Sequence, residues 1–184
     1  MDKILGNLHL VLVLGVVAAI ALIFGTHGVF DANLVLRWLH VFFGITWIGL
    51  LYYFNFVQIP TMPAIPAELK PGVSKYIAPK ALFFFRWAAL LTVLTGLCVA
   101  YVMGYIKEAL TLSSGYMLIG IGMWLALIMA ANVWFVIWPN QKRALGLVEA
   151  DADSKAKSAR MAMLASRTNT LLSIPMLYAM ANFS

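Results

Sequence analysis

The chain has 184 residues, of which 63% are hydrophobic and 11% charged, with a net charge of +6 and a mean hydropathy of +0.90. A soluble domain is nearer to about 45–50% apolar and 25% charged, so this composition is that of a protein embedded in a lipid bilayer. It leaves no room for a soluble catalytic domain, and the surplus of basic residues reflects membrane topology, with no nucleic acid partner implied.

A helix needs about 20 apolar residues to cross a hydrocarbon core of roughly 30 Å. Five runs meet that length, at residues 4–24, 34–57, 81–103, 117–138 and 162–181, and they predict an all-α polytopic bundle forming one transmembrane domain over residues 1–184. The first run follows Lys3 like a secretory signal, but it exceeds the 7–15 apolar residues usual for a signal core and is expected to stay as a helix.

The second run is the most informative. Wound at about 100° per residue, Arg37, His40, Gly44, Trp47, Leu51 and Asn55 fall within about 60° of His40, so a polar and small-residue stripe descends one face. Lipid does not solvate such a stripe, and it is expected to face other helices, a cofactor or a partner subunit. Five prolines follow between Gln58 and Lys80 (Pro60, Pro63, Pro66, Pro71 and Pro79), and they predict an extended, semi-rigid strap.

The third run carries Arg86 near its start and the lone cysteine, Cys98, which reads as core packing with no disulfide framework. The fourth ends near Pro139 and leads into a polar segment, GLVEADADSKAKSAR, expected to be exposed. In the fifth, Arg167, Asn169, Thr170 and Ser173 interrupt the apolar pattern and Pro175 predicts a kink. Asn132 and Asn169 lie about two turns in from the same side, where paired amides would join helices.

Five crossings place nine basic residues on one side, Lys3, Lys70, Lys75, Lys80, Lys142, Arg143, Lys155, Lys157 and Arg160, against Arg37 and Lys107 on the other. The excess predicts a cytoplasmic N-terminus and puts His40 at the opposite face. Arg86 and Arg167 sit near the cytoplasmic side, close enough to snorkel or to hold a quinone headgroup, an anionic lipid or a haem propionate.

His40 is the leading candidate for chemistry. A neutral imidazole there is a ligand for a b-type haem, with Gly44 making room for the macrocycle, Trp47 packing beside it and Arg37 pairing with a propionate. The bland alternative is a histidine bonded to a neighbouring carbonyl and an arginine anchoring the helix end. A second axial histidine would have to be His27, because His9 lies roughly 15–20 Å away in depth. No carboxylate lies inside any run, which argues against a proton-coupled transporter. The sequence also lacks the ligand clusters of di-iron or copper centres and any Ser-His-Asp arrangement.

Four blocks, RWLHVFFGITWIGLLYYF (37–54), FRWAALLTVLTG (85–96), NVWFVIWPNQKRALG (132–146) and SRTNTLLSIPMLYAMANFS (166–184), together resemble the N-terminal membrane domain of bacterial membrane-bound urate oxidase, also called urate hydroxylase. In that family the membrane domain is joined to a c-type cytochrome and is thought to pass electrons from urate to the respiratory chain. The chain resembles a short stand-alone form without the cytochrome. It departs from the family pattern at Thr168 and Ser184, where the family typically has histidines. The Arg37-to-His40 start and Arg86 are also distantly similar to membrane protoporphyrinogen oxidase and the copper-resistance D group, the former haem-associated.

The resemblance implies a redox-associated module or accessory subunit of the bacterial cytoplasmic membrane, with haem b at His40 and a quinone or cytochrome as electron partner. The alternative is a cofactor-free structural subunit of a larger membrane complex, and the expected partners in general are other membrane subunits or further copies in a homo-oligomer. An oxidoreductase acting alone comes third.

Overall fold

A computed structural model describes residues 2–29 and 31–183, with only the backbone of Asp2. After a short helical turn at Asp2–Leu5, six helices follow: α1 (Leu8–His27), α2 (Ala32–Ala64), α3 (Lys70–Val102), α4 (Ile106–Leu110), α5 (Met117–Ala144) and α6 (Ala152–Ala181). The fold is all-α. Four of the helices, α1, α2, α3 and α5, are long and apolar enough to cross a membrane. The protein is therefore a multi-pass membrane protein embedded in the lipid bilayer.

Helix boundaries follow local chemistry. The Asn7 side chain accepts from the Leu10 backbone N–H to start α1, and Gly28 ends it at a φ of 70° that other residues rarely adopt. Asp31 caps α2 through the Asn33 N–H, and Asp151 caps α6 through the Ser154 N–H, both at 2.8 Å.

The proline-rich strap expected between Gln58 and Lys80 is not extended. Helix continues through most of it, and only residues 65–69 separate α2 from α3. Pro63 lies in a closing 3₁₀ turn, and Pro71 in the first turn of α3, where its missing N–H costs nothing. Pro60, Pro79 and Pro139 each follow, by two residues, the end of a π-helical segment: Tyr53–Gln58, Val73–Ile77 and Val133–Ile137. A proline ring clashes with the carbonyl four residues back. Widening the preceding turn moves that carbonyl aside, so the helix passes a proline without breaking.

α2 packs chiefly on α3, and α6 on α5, making two helical hairpins that touch each other more sparsely. They meet in an apolar core of Trp47, Leu51, Phe85, Met129, Val133 and Ile137. Small residues such as Ala88, Ala89, Ala126 and Ala165 let the backbones approach, as helix contacts in lipid require. A second cluster at the opposite end joins Ala100 and Tyr105 to Ala109, Ile119 and Met123.

α6 explains why the fifth apolar run is the weakest. It lies antiparallel along α5, with Gly122 beside Ala179 and Asn132 beside Asn169. Its buried residues are Ser158, Ala162, Ala165, Ser166, Asn169, Ser173, Met176 and Ala179, while Met161, Leu164, Leu171 and Ile174 face outward. Ser158, Ser166, Asn169 and Ser173 point into the protein, while Arg160, Arg167 and Thr168 stay exposed beside the outward apolar residues, so the helix averages out as polar.

α1 has no buried residue. Cys98, expected in the core, is exposed on α3. Position in an apolar run does not tell which face of the helix a residue occupies, and in a membrane the outer face is as apolar as the core.

Candidate functional site

The polar stripe on α2 faces inward. Its upper part lines a cleft of about 570 Å³ between the two hairpins, bounded by α2, α3, α5 and α6. This is within the range of about 300–1,000 Å³ typical of small-molecule sites. Arg37, His40, Gly44 and Trp47 all contribute to its wall. From Arg37 to Ile48 the α2 wall runs eleven residues, or about 16 Å.

His40 is fixed by α3. Its Nδ1 lies 2.9 Å from the carbonyl oxygen of Thr92. A carbonyl only accepts, so Nδ1 carries the proton, and in the neutral ring Nε2 keeps its lone pair. The Thr92 hydroxyl is itself occupied, donating to the Ala88 carbonyl at 2.7 Å. Gly96 makes this seat: a Cβ there would lie 2.7 Å from Cε1 of His40. At Gly44 a Cβ would meet only Cγ2 of Thr92, at 3.8 Å, so that position leaves the wall open.

Arg37 is exposed at the mouth of the cleft. Its charge acts on Tyr105, whose phenol is pushed up by burial and partly drawn back by the guanidinium. Tyr105 stacks on Tyr116 with ring centroids 5.7 Å apart and meets Phe183 at 5.3 Å, so three aromatic rings cluster at the Arg37 end. Trp47 is fully buried, and its indole N–H has no acceptor among the described residues.

Two expected members lie elsewhere. His27 is the exposed last residue of α1, its Nδ1 bonded to the Thr26 hydroxyl at 2.7 Å, and it does not line the cleft. It cannot partner His40 in this arrangement, because α1 does not pack into the bundle. Arg86 is at the other end of the fold, its guanidinium 3.9 Å above the Trp138 ring. Asn132 and Asn169 do come together: the Asn132 amide donates to Oδ1 of Asn169 at 2.7 Å and to the Ala165 carbonyl at 2.8 Å, and the Asn169 amide donates to the Met129 carbonyl at 3.0 Å. Below the cleft, Tyr52 and Ser173 bond at 3.0 Å, and Asn55 donates to Ser166 at 2.8 Å, tying α2 to α6. Thr168 bonds back to the Leu164 carbonyl and Ser184 lies outside the described residues.

The sequence reading missed the far wall. Met123, Met176 and Met180 face the cleft from α5 and α6, with Met103 at the end of α3. Their side chains look like ordinary filler in sequence, and only the hairpin pairing puts them opposite α2.

Comparison with known families bears on the α5–α6 hairpin. Residues 109–183 match the family model described as Urate oxidase N-terminal. The match starts in α4 and runs past the end of α6, so the expected likeness to the urate oxidase membrane domain is found over this hairpin, including the Asn132–Asn169 pair. His40 and Arg37 lie outside the matched residues. No curated protein and no solved structure matches the chain.

The urate-oxidase-like hairpin thus supplies one wall of the cleft and α2 the other. The residues present fit a b-type haem in three respects: an imidazole held through Nδ1 by a backbone carbonyl, a glycine that leaves the wall open, and an arginine at the rim. Orientation of a ligating histidine by a carbonyl on its other nitrogen is the usual arrangement at metal centres. Among the described residues there is no group of three or more His, Cys, Asp or Glu side chains to hold a bare metal ion.

Proposed function

We propose that the chain is a redox-associated membrane module, with five helical crossings in a bacterial cytoplasmic membrane, that holds haem b in the cleft between its two hairpins. The observation that carries this reading is the bond from His40 Nδ1 to the Thr92 carbonyl, which leaves Nε2 as the nitrogen open to a ligand on a residue that lines a cleft of about 570 Å³. His40 would hold the haem iron, Arg37 would pair with a propionate at the rim, and Gly44 with Trp47 would line the space for the ring. When bound, the group supplies one-electron transfer between a quinone or cytochrome and a partner protein. Apolar walls keep water from that centre, and Tyr105, Tyr116 and Phe183 cover the end nearest the membrane surface.

A reduced-minus-oxidised spectrum of the purified protein from haem-replete cells tests this directly. A b-type Soret and α band, lost in His40→Ala, is the expected result, and a featureless spectrum overturns it. A cofactor-free structural subunit is the second reading. It is favoured by α1, a 20-residue apolar helix with nothing buried against the rest of the chain. Under that reading the chain migrates on a native gel together with other subunits, and a chain migrating alone or only as a homo-oligomer overturns it. Urate consumption with a quinone or cytochrome acceptor assays catalysis by the chain alone.

A further inference from the structure

We propose a second site, separate from the cleft: the neighbouring lysine-rich ends of α3 and α5 bind the phosphate diester headgroup of one anionic phospholipid, held between Arg86 and Lys142. The Arg86 guanidinium lies 3.9 Å from the Trp138 ring centroid and 5.4 Å from that of Phe83, and the Lys142 ammonium lies 5.6 Å from the same Trp138 ring. Two cations thus share one indole. Ring quadrupoles attract each of them, and two like charges around one ring favour an anion that neutralises both.

Among the described residues neither cation has a carboxylate within ion-pair distance. The charge gathered there lacks its counterion, and phosphate is the anion that a bilayer supplies. The aromatic surface beside the cations fits acyl chains. Phe83 lies 6.4 Å from Trp87, and Trp87 meets Trp134 edge-on at 5.5 Å. Phe83 and Trp87 are both exposed. A soluble anion would use the cations and leave this aromatic row bare, whereas a phospholipid uses both. Basic pockets between membrane helices on the lysine-rich side are a recurrent setting for such headgroups.

The test uses the full chain purified in a neutral detergent and titrated with phosphatidylglycerol, phosphatidylcholine of the same acyl chains, or inorganic phosphate. Thermal unfolding and native mass spectrometry are the readouts. Phosphatidylglycerol is expected to raise the melting temperature and to appear as a one-to-one adduct, with no shift from the other two. Lys142→Gln, at the rim where folding is unaffected, should weaken that binding about fivefold, as for one lost basic contact near a membrane surface. Arg86→Gln with Lys142→Gln should abolish it, while Lys75→Gln with Lys80→Gln leaves it intact. Equal stabilisation by phosphatidylcholine, an equal effect of inorganic phosphate, or unchanged binding by Lys142→Gln overturns the proposal.

Discussion

His40 on α2 hangs from the Thr92 carbonyl of α3 at 2.9 Å, and it can do so because Gly96, one turn further along α3, presents no side chain to the imidazole. The histidine and the glycine therefore act as one unit. Gly96→Ala should displace the ring, remove any b-type band as completely as His40→Ala does, and destabilise the bundle by about 1–3 kcal/mol, the usual cost of overpacking. Gly44→Ala, with its nearest neighbour at 3.8 Å, should unfold at the wild-type temperature and lower haem retention only by narrowing the cleft. Soret absorbance per protein and thermal unfolding in detergent distinguish the two.

The amides of Asn132 and Asn169 join α5 to α6 at a level where water is scarce. A double-mutant cycle with Asn132→Ala and Asn169→Ala should give a coupling of about 0.6 kcal/mol, with about 1.7 kcal/mol as the upper bound for such pairs in membranes. Asn169→Ala should be the costlier single change, since Asn169 is fully buried and also bonds the Met129 carbonyl. Additive effects would mean that the two amides act independently.

Gly120 faces the backbone carbonyl of Ala109, where α4 folds back on α5, and a Cβ would overlap that oxygen as well as Cδ2 of Leu112. Gly120→Ala should cost about 1–3 kcal/mol. It should also disturb the bond from the Trp124 indole to the Leu110 carbonyl, now 3.0 Å, detectable as a shift in tryptophan emission. Gly15→Ala on α1 meets nothing within 4 Å and serves as the silent control.

At the start of α6 the Ser154 backbone N–H, and then its hydroxyl, hold the Asp151 carboxyl below the usual carboxylate range. A carboxyl with a depressed native pKa stabilises the fold above its unfolded-state pKa, and that contribution disappears as pH falls through the native value. The first turn of α6 should therefore lose hydrogen-exchange protection in acid. Asp151→Asn keeps the acceptor and should make protection of residues 152–158 independent of pH over that range.

The prolines and Cys98 mark where local reading stops working. Prolines every few residues ordinarily signal an extended chain, yet three of them are absorbed by π turns that widen the helix ahead of the ring and let it continue. The apolar run around Cys98 was visible in sequence, but its orientation was not, since lipid and core are equally apolar. Even α6, diluted by Asn169 and Ser173, could be located from sequence, while the inward direction of those residues depended on partners more than thirty positions away.

The amino-acid sequence by itself determined an all-α membrane bundle, the approximate placing of its long helices, the inward-facing stripe from Arg37 to Asn55 and the pairing depth of Asn132 with Asn169. These follow from hydropathy and helical periodicity, which are local. Only the tertiary structure decided that His40 bonds to Thr92 over Gly96, that His27 and Arg86 stand apart from it, and that methionines of α5 and α6 form the facing wall. Those relationships arise where two hairpins meet, and contacts between distant segments leave no periodic trace in either segment alone.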